Sequence, residues 1–560
     1  MKTMKKQFLN LFILLSFFTG MFAQTPLEFD QLNHIGGFGE DLVLDLVTDS
    51  EGNTYVLIFL ETIPLYSNDS IIGINPTAYL LIYGPNGNLE FSYEFIAQGE
   101  DSNIFMDKIG ILNDGHVVCV GSFSGEFQFG DTLVESSHAV GLICNFLPDG
   151  LTDRVKLFNV SEKYTKVRNL TIDNENNIYL TGLSLDSVYY DQNQNPIIVI
   201  TDGFRLPVWK YDVDFNLQWI KVFYGDYSMP YSRPIIQDQE QNLIFTAYLQ
   251  GLNLYYDDQV VEMEGDTHKI LVKLSMDGEV IWIHSVDGES SSTFDICADM
   301  DNNIYLASSF NDAIKYGDQT FHHTFNSPNE TYVLSVNANG DFRWQNQVHC
   351  INYSVSNIYP SQIHANGNDV FLSGNYRYNA FFDEILLQKV SPVYHHYDTY
   401  ITKINTETGA FIWANGIYGG NLGVDYKIPF SVDDECNITA SVYFSGQATF
   451  GDSVIQSYGD RDILVTRLDE VITGINSDTD FALLHTAVYP NPGSDQVFVK
   501  NTKGIALFRL FNLQGKMVLS TKIIGSLELE INTSELYPGI YFFQLTDESG
   551  TEETGKWIKQ

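Results

Sequence analysis

Cysteines are few in this chain of 560 residues, and they follow no framework pattern. They are odd in number, none belongs to a C-x-x-C pair, and most lie in apolar stretches: Cys119, Cys144, Cys297, Cys350 and Cys436. Because disulfide frameworks are expected in far shorter secreted chains, we predict buried free thiols. A bond between Cys119 and Cys144 stays open, since both fall on neighbouring predicted strands.

Basic residues are also scarce: 30 Lys and Arg stand against 71 Asp and Glu, for a formal net charge of −41. A surface this acidic repels nucleic acid and anionic lipid, so no nucleic acid is expected as a partner. The acidic excess has two explanations. Solubility outside the cell is the one we favour, and turns that gather divalent cations are the alternative.

Catalytic signatures are missing from the chain. It contains no H-E-x-x-H, no G-x-S-x-G, no Walker A motif and no dinucleotide-binding glycine pattern. Each of these motifs carries a defined chemistry, and their absence leaves no catalytic, cofactor-binding or metal-ligating residue to name. The sequence therefore does not state what the central region acts on.

Long apolar runs are absent beyond the N-terminus, so no transmembrane helix is predicted. At the N-terminus itself, three lysines precede an apolar run from Phe8 to Phe18, and Ala23 follows as a small residue. This order of charged, apolar and cleavage regions predicts a signal peptide at residues 1–23. A buried first helix is the alternative.

A repeat of about 60 to 70 residues fills the region between the two ends of the chain. In each unit a Gly or Asn turn precedes an apolar strand; these strands begin at Thr54, His116, Ile178, Leu243, Ile304, Val370 and Ile438. An aromatic–Asp turn such as Phe129-Gly130-Asp131 follows, and an aromatic residue such as Trp282 closes the unit. Short alternating segments between turns predict four β-strands per unit and no helix.

Four-stranded sheets with open edges must stack, and this period fits a β-propeller blade better than a solenoid coil. We therefore predict an all-β chain with a seven-bladed propeller at residues 24–468, with six or eight blades as alternatives. The seventh unit stops after Asp462 to Leu468, whereas Leu27 to Ile35 is a strand in excess. This N-terminal strand is predicted to complete the last blade. The closing aromatics are predicted to pack between blades, with a ligand-binding cage as the alternative.

Acidic turns repeat along the predicted propeller, as in Asp173 to Asn177, Asp238 to Asn242 and Asp299 to Asn303. A Ca²⁺ loop needs alternating oxygen ligands, a glycine at the sharp turn and a distal bidentate carboxylate. Only Asp299-x-Asp301-x-Asn303 begins that pattern, and no glycine follows it. Asp and Asn are also favoured in tight turns, so turn formation is the preferred explanation and Ca²⁺ the weak alternative.

The last part of the chain begins with a polar stretch, 469–484, which is predicted to be a linker. Tyr489-Pro490-Asn491-Pro492 comes next, followed by a turn ending at Gly515, an L-x-P-G-x-Y segment with Gly539 and Tyr541, and Lys559. This order resembles the type A C-terminal sorting domain of the type IX secretion system of Bacteroidota. Residues 485–560 are its predicted extent, and these eight residues are the candidate sorting signal.

The resemblance implies a small immunoglobulin-like β-sandwich that the outer-membrane translocon reads. It also implies cleavage in the linker by a sortase-like protease, so that the protein is secreted or anchored at the outer cell surface. Strand alternation predicts about seven strands, with Val497, Val499, Leu507 and Leu510 in the core. An ordinary C-terminal module that stays attached is the alternative.

The repeat region is similar, more weakly, to secreted bacterial β-propeller-repeat proteins. We favour an exported binding or scaffold protein with a possible glycan or protein ligand. The alternative is a propeller glycosidase or polysaccharide lyase whose carboxylates converge in the central channel. Phe381 to Tyr400 is the least regular segment and the candidate binding loop.

Overall fold

The computed structural model describes residues 27–559 apart from short segments. The segments left undescribed within that range are 40, 62–63, 69, 159–163, 186–187, 191–195, 200–202, 264–266, 289–293, 324–328, 351–356, 390–396, 418–427, 434–435, 451–452, 471–486, 490–495, 501–504, 513–515, 523–527, 535 and 548–551. The predicted signal peptide and most of the predicted linker lie outside the described residues.

The regular structure of the described residues is made of β-strands, which confirms the all-β prediction. Across this part of the chain, no helix is long and apolar enough to cross a bilayer. The chain divides into two compact units, Met1–Glu470 and Val471–Gln560, and each is described by itself.

In the first unit, groups of four antiparallel strands follow one another in the chain, and we call each group a sheet. Hydrogen bonds join the second, third and fourth groups into one continuous 14-stranded sheet, which also includes the hairpin Ala313–Tyr316 and Gln319–His322. The second and third strands of a group are buried along nearly their whole length, as in Ile304–Phe310 and Glu330–Val336. Both faces of these strands pack against neighbouring sheets, which explains why the strands are buried without alternation. A fourth strand such as Leu89–Phe95 alternates between more and less buried positions, because one of its faces is nearer to solvent.

The strand bounds repeat in a fixed order. The first strands are Leu42–Thr48, Ala97–Ile111, Tyr164–Ile172, the end of Leu217–Gln237, Phe294–Ala298, Ile358–Asn366 and Phe430–Val432. The second strands are Thr54–Phe59, Val117–Phe129, Ile178–Leu185, Leu243–Tyr256, Ile304–Phe310, Asp369–Tyr376 and Ile438–Phe444. The third are Ala78–Tyr83, Thr132–Phe146, Phe204–Tyr211, Thr267–Leu274, Glu330–Val336, Asp398–Ile404 and Asp462–Glu470. The fourth are Leu89–Phe95, Thr152–Leu157, the start of Leu217–Gln237, Val280–Asp287, Phe342–Cys350 and Phe411–Ile417.

The N-terminal strand Leu27–Gly36 lies in the last of these sheets. It pairs antiparallel with Asp462–Glu470, which on its other side pairs with Ile438–Phe444. Asp469 and Glu470, at the start of the predicted linker, still belong to this strand and pair with Glu28 and Leu27. The beginning and the end of the first unit therefore share one sheet, which we call the seam sheet.

Hairpins between second and third strands connect neighbouring sheets. Leu65–Ser67 pairs with the seam sheet through Leu27–Gly36, and Ala313–Tyr316 pairs with Val280–Asp287 of the preceding sheet. The other short hairpin strands are Ser70–Gly73, Val188–Tyr190, Pro196–Val199, Gln259–Glu262, Gln319–His322, Ala380–Phe382, Ile385–Leu387, Gln447–Phe450 and Ser453–Gln456. A hairpin that pairs with a fourth strand covers an outer edge that would otherwise expose unpaired backbone groups.

The hydrophobic core of the first unit lies between neighbouring sheets. One cluster joins Leu57 of the first sheet to Cys119 and Leu142 of the second. Another joins Val56 of the first sheet to Ile463 of the seam sheet. The packing therefore continues from the last sheet back to the first.

The second unit has two antiparallel sheets. Their strands are Ala487–Tyr489, Gln496–Lys500 and Glu528–Asn532 in one, and Met517–Lys522, Ile505–Asn512, Gly539–Asp547 and Glu552–Lys559 in the other. One core cluster takes Val497, Val499 and Ile531 from the first sheet and Leu510 and Trp557 from the second. Leu507 is only partly buried, because its neighbour Phe508 points into the core instead. The predicted core is thus correct at Val497, Val499 and Leu510 and wrong at Leu507.

Candidate functional site

The first strands of the sheets carry β-bulges, which turn single polar side chains towards a shared cavity. The pairing register shifts between Val43 and Asp45, between Met106 and Lys108, between Val167 and Asn169, and between Pro360 and Gln362. A bulge bends its strand and changes the direction of the next side chain. The residue that follows the bulge is polar in all four strands: Asp45, Lys108, Asn169 and Gln362.

A cavity of about 410 Å³ lies among the first strands of five successive sheets. Its lining is mostly polar and includes Lys108, Asn169, Asp295, Gln362 and His364. These residues belong to no sequence motif. Only Asp295 carried a sequence signal, because it is the single charged residue of the otherwise apolar strand Phe294–Ala298. The sequence alternative of carboxylates in a central channel makes this cavity the first place to look for chemistry.

Lys108 is held by an ion pair with the first sheet. Its Nζ lies 2.6 Å from Asp45 Oδ1, and the other oxygen of Asp45 accepts the backbone N–H of Ile109 at 3.1 Å. Burial alone would lower the pKa of the Lys108 ammonium, but the Asp45 carboxylate outweighs it and raises that pKa above its ordinary value. Lys108 therefore stays protonated and is poorly suited to act as a general base.

The other polar side chains at the cavity also bridge neighbouring sheets. Asp295 Oδ2 accepts the backbone N–H of Ile363 at 2.9 Å, and Gln362 Oε1 accepts that of Phe430 at 2.9 Å. Desolvation lowers the pKa of His364 to about 4, so its ring is neutral at neutral pH. These groups serve first to satisfy backbone donors at the bulges. The cavity offers polar surface to a ligand rather than a poised acid and base.

The acidic turns use their carboxylates within the turn. Asp299 Oδ1 accepts the backbone N–H groups of Asp301 and Asn303, and its Oδ2 accepts Asn303 Nδ2 and the Tyr305 hydroxyl. Asp173 makes the same four bonds in its own turn. The described residues contain no group of three or more ligand-type side chains arranged to hold a metal ion. The oxygens proposed for Ca²⁺ are thus occupied by hydrogen-bond donors of the turn.

The closing aromatics pack between sheets. Trp219 Nε1 donates to the carbonyl of Met276, and Trp344 Nε1 donates to that of Thr406, each in a turn of the next sheet. The ring of Trp344 fills the space above Gly409, where an added Cβ would lie 2.5 Å from Cε3. These contacts leave the two indoles to packing rather than to a ligand cage.

The predicted binding loop, Phe381 to Tyr400, is described only in part, because residues 390–396 lie outside the described residues. Its first part forms the hairpin Ala380–Phe382 and Ile385–Leu387, and its last part begins the strand Asp398–Ile404. The five cysteines form no disulfide with one another; four of them are buried, and Cys436 is partly exposed. Cys119 and Cys144 lie directly opposite each other, and burial raises the pKa of both thiols.

The candidate sorting residues fall into three groups. Tyr541 and Lys559 are buried: the Tyr541 hydroxyl donates to the carbonyl of Tyr537 at 2.7 Å, and Lys559 Nζ donates to that of Thr533. Gly539 is exposed at the start of its strand, and Tyr489 ends a short strand. Pro490, Asn491, Pro492 and Gly515 lie outside the described residues. The structure thus gives Tyr541 and Lys559 a place in the fold of the second unit.

Comparison with family models decides the identity of the two regions. Residues 487–560 match the secretion system C-terminal sorting domain, and residues 153–189 match a β-propeller repeat. The chain thus carries a C-terminal sorting domain and, in its first unit, a β-propeller repeat. The repeat match runs from the fourth strand of the second sheet, Thr152–Leu157, to the hairpin strand Val188–Tyr190 of the third. The sorting domain implies delivery out of the cell or to its surface.

Solved structures give weaker likenesses, and no curated protein matches the chain. An ulvan lyase of polysaccharide lyase family 25 is 9% identical over 76% of this chain and 97% of its own, with a TM-score of 0.35. BamB from Moraxella catarrhalis is 11% identical over 77% and 99%, with a TM-score of 0.30. The rhamnogalacturonan lyase YesW is 11% identical over 94% and 91%, with a TM-score of 0.29. Scores this low carry no argument about activity.

Proposed function

We propose that the sorted protein is a non-enzymatic binding or scaffold protein of the cell surface, built on a seven-bladed propeller. In this proposal the four-stranded sheets of residues 27–470 are the blades, and the seam sheet closes the ring. Two features support closure. The strand Leu27–Gly36 completes the sheet of Asp462–Glu470, and the Val43 N–H donates to the hydroxyl of Tyr443 at 2.8 Å, joining the first sheet to the last.

The main support for a binding role is that the ionisable groups at the cavity are already paired or hydrogen-bonded within the protein. Lys108 is paired with Asp45 at 2.6 Å, and Asp45 and Asp295 each hold a backbone N–H of the next sheet. Glycoside hydrolysis requires two carboxyl groups facing the same bond, one of them able to give a proton. Groups committed to holding sheets together are poor candidates for that task, which favours a ligand over a substrate.

We further propose that the translocon reads residues 487–560 as a folded domain and that the chain is cut between the two units. Buried Tyr541 and Lys559 support this, because each ties a strand of the second unit to the segment around Thr533 to Tyr537. They would act by maintaining the folded signal rather than by touching the translocon. The protein would then be released or anchored at the outer surface.

Transport from the periplasm across the outer membrane should depend on the second unit alone. We expect deletion of 537–560 to leave the folded first unit in the periplasm, because it removes two strands of the four-stranded sheet. Conversely, residues 471–560 fused behind a periplasmic reporter should carry the reporter to the surface. Both results are measured by fractionation and by protease accessibility on intact cells.

A matched control replaces the exposed Met517 with Ser, since this change leaves the domain core untouched. Normal surface levels of the truncated protein, or a reporter that stays in the periplasm, would refute the sorting role. The binding role is tested separately with the purified exported protein on polysaccharides. Shortened chains or new unsaturated ends would replace it by the glycosidase or lyase alternative.

A further inference from the structure

A run of aromatic rings and cations crosses the ends of the strands of the second to fourth sheets. Its inner half is centred on Lys166, whose Nζ lies 5.1 Å from the ring centre of Phe105 and 5.5 Å from that of Tyr164. Phe105 belongs to a first strand, Ala97–Ile111, and half of its surface (50%) is exposed. The Phe105 ring therefore offers apolar surface to solvent directly beside the Lys166 ammonium.

The outer half continues across the third sheet. The guanidinium of Arg205 lies 4.0 Å above the ring of Tyr224, and Tyr224 stacks on Tyr255 at 4.9 Å with an angle of 11° between the planes. The rings of Tyr164 and Phe204 meet edge to face at 6.1 Å and join the two halves. We call this set the aromatic–cation stripe.

The two cations of the stripe differ from other cations of this region in their acidic partners. Across the described residues, neither Lys166 nor Arg205 has a carboxylate within ion-pair distance, although the chain carries a net charge of −41. By contrast, Lys221 lies 2.6 Å from Asp257 and Arg168 lies 3.0 Å from Asp107. At the outer end, Asp226 is held by the Tyr255 hydroxyl at 2.7 Å and by the backbone N–H of Leu252. Within the described part of the chain, two positive charges without a paired carboxylate therefore stand between partly exposed rings.

We propose that the aromatic–cation stripe binds an acidic polysaccharide. The apolar faces of its sugar rings stack on Phe105 and Tyr164, and its carboxylate or sulfate groups pair with Lys166 and Arg205. Aromatic side chains offer flat apolar area at little cost in conformational freedom, and charge-assisted hydrogen bonds to anions are the strong ones. This inference rests on the proposed binding function and names its ligand class and site.

Charge density favours such a glycan over a nucleic acid. Duplex DNA carries one charge per about 1.7 Å of its axis, and the acidic surface of this protein repels so dense a polyanion. An acidic polysaccharide carries its charges at the wider spacing of its sugar units. Along the stripe, two cations alternate with aromatic rings, as charged groups and ring faces alternate along an acidic glycan.

The test measures binding of the purified exported protein to three polysaccharides. Polygalacturonate presents carboxylates, dextran sulfate presents sulfate esters, and dextran is neutral. We expect binding to at least one of the two acidic chains and none to dextran. Lys166→Gln and Arg205→Gln should each weaken it about tenfold, with Lys156→Gln as the matched loss of one charge elsewhere. Phe105→Ser should weaken it by a similar factor, with Val260→Ser as the exposed apolar control.

Several outcomes would overturn the proposal. The site is wrong if Lys156→Gln weakens binding as much as Arg205→Gln, because the effect is then one of bulk charge. It is also wrong if the exported protein binds neither acidic chain, or binds a thymidine oligonucleotide more tightly than either. If acidic chains bind but the stripe variants behave like the wild type, the stripe is excluded while the proposed binding function stands. Export assays are independent of all these results.

Discussion

At the scale of single residues, the contact between the second and third sheets differs from the equivalent contacts of the repeat. Both residues of the contact, Arg154 and Phe215, differ from those found at the same positions in other sheets. Arg154 occupies the position of the closing aromatic in the second sheet, and its Nη2 donates to the carbonyl of Val213 at 2.8 Å. Its guanidinium lies 4.5 Å above the ring of Phe215. Phe215 has a φ of 61°, at the place where the matching turn of the next sheet has Gly278 with a φ of 83°. Tryptophan over glycine is thus replaced by arginine over phenylalanine.

This exchange predicts a strong coupling between the two positions. Arg154→Trp alone should lower stability by about 1–3 kcal/mol, because the indole meets the buried Phe215 ring. The double variant Arg154→Trp with Phe215→Gly should recover most of the loss, since it recreates the pair of Trp219 and Gly278 and removes a positive φ from a non-glycine residue. Urea unfolding of the wild type, both single variants and the double variant measures the coupling. If the changes in unfolding free energy of the two single variants simply add up in the double variant, the two positions are not coupled.

At the scale of elements, a buried carboxyl group beside the seam sheet should make the stability of the first unit depend on pH. Asp41 lies just before the first strand, and its Oδ2 accepts the backbone N–H of Gly37 at 2.6 Å. Burial, and next to it the charge of Asp462, raise the pKa of Asp41 to about 7, although Arg461 and backbone donors oppose them. In the unfolded chain this carboxyl ionises near 3.8. The folded state therefore loses stability as the pH rises from about 4 to 7.

Replacing Asp41 with Asn should remove that loss. We expect Asp41→Asn to stabilise the protein at pH 8 by an amount on the order of 3 kcal/mol and to change little at pH 4, where the acid is already protonated. Thermal unfolding at the two pH values measures the difference. Asp460→Asn, at an exposed residue of the same region, controls for loss of charge. Equal effects at both pH values would exclude Asp41 as the titrating group.

The elements also show what the sequence could predict. Turn residues recur about every 60 to 70 residues, so they predict the order of strands and the all-β class. The N-terminal strand follows from counting, because one unit lacks a strand that the N-terminus has in excess. The pairing of Ala313–Tyr316 with the preceding sheet could not be predicted in this way. A repeat period gives the position of a strand within its unit, but it does not show with which neighbouring strand a hairpin pairs.

The site residues were harder to predict, for a related reason. Lys108, Asn169 and Gln362 come from different sheets and meet only because bulges turn them inwards, and a bulge leaves no fixed sequence spacing. The aromatic–cation stripe likewise draws Phe105, Lys166 and Arg205 from separate strands. Tyr541 and Lys559 could be named as candidates because the sorting motif lies within one short part of the chain.

At the scale of the whole molecule, the seam sheet should determine whether the first unit unfolds as one body. Deleting residues 27–36 exposes the edge of Asp462–Glu470 and uncouples the hairpin strand Leu65–Ser67. We expect a lower and broader thermal transition, together with self-association through the open edge. Calorimetry and size-exclusion chromatography measure both effects. A peptide of residues 27–36 added in excess should restore the sharp transition, whereas one with the same residues in scrambled order should not.

The long separation between the partners of the seam sheet also bears on when the protein can finish folding. Thr466 bonds the carbonyl of Asp30, 436 positions earlier in the chain. A chain made and exported from its N-terminus presents its first strand long before the partner strand exists, and loop closure over such a distance comes late and slowly. Interrupted synthesis would leave this strand without a partner. The seam sheet can therefore form only in a chain that extends through Glu470, because Leu27–Gly36 pairs with Asp462–Glu470.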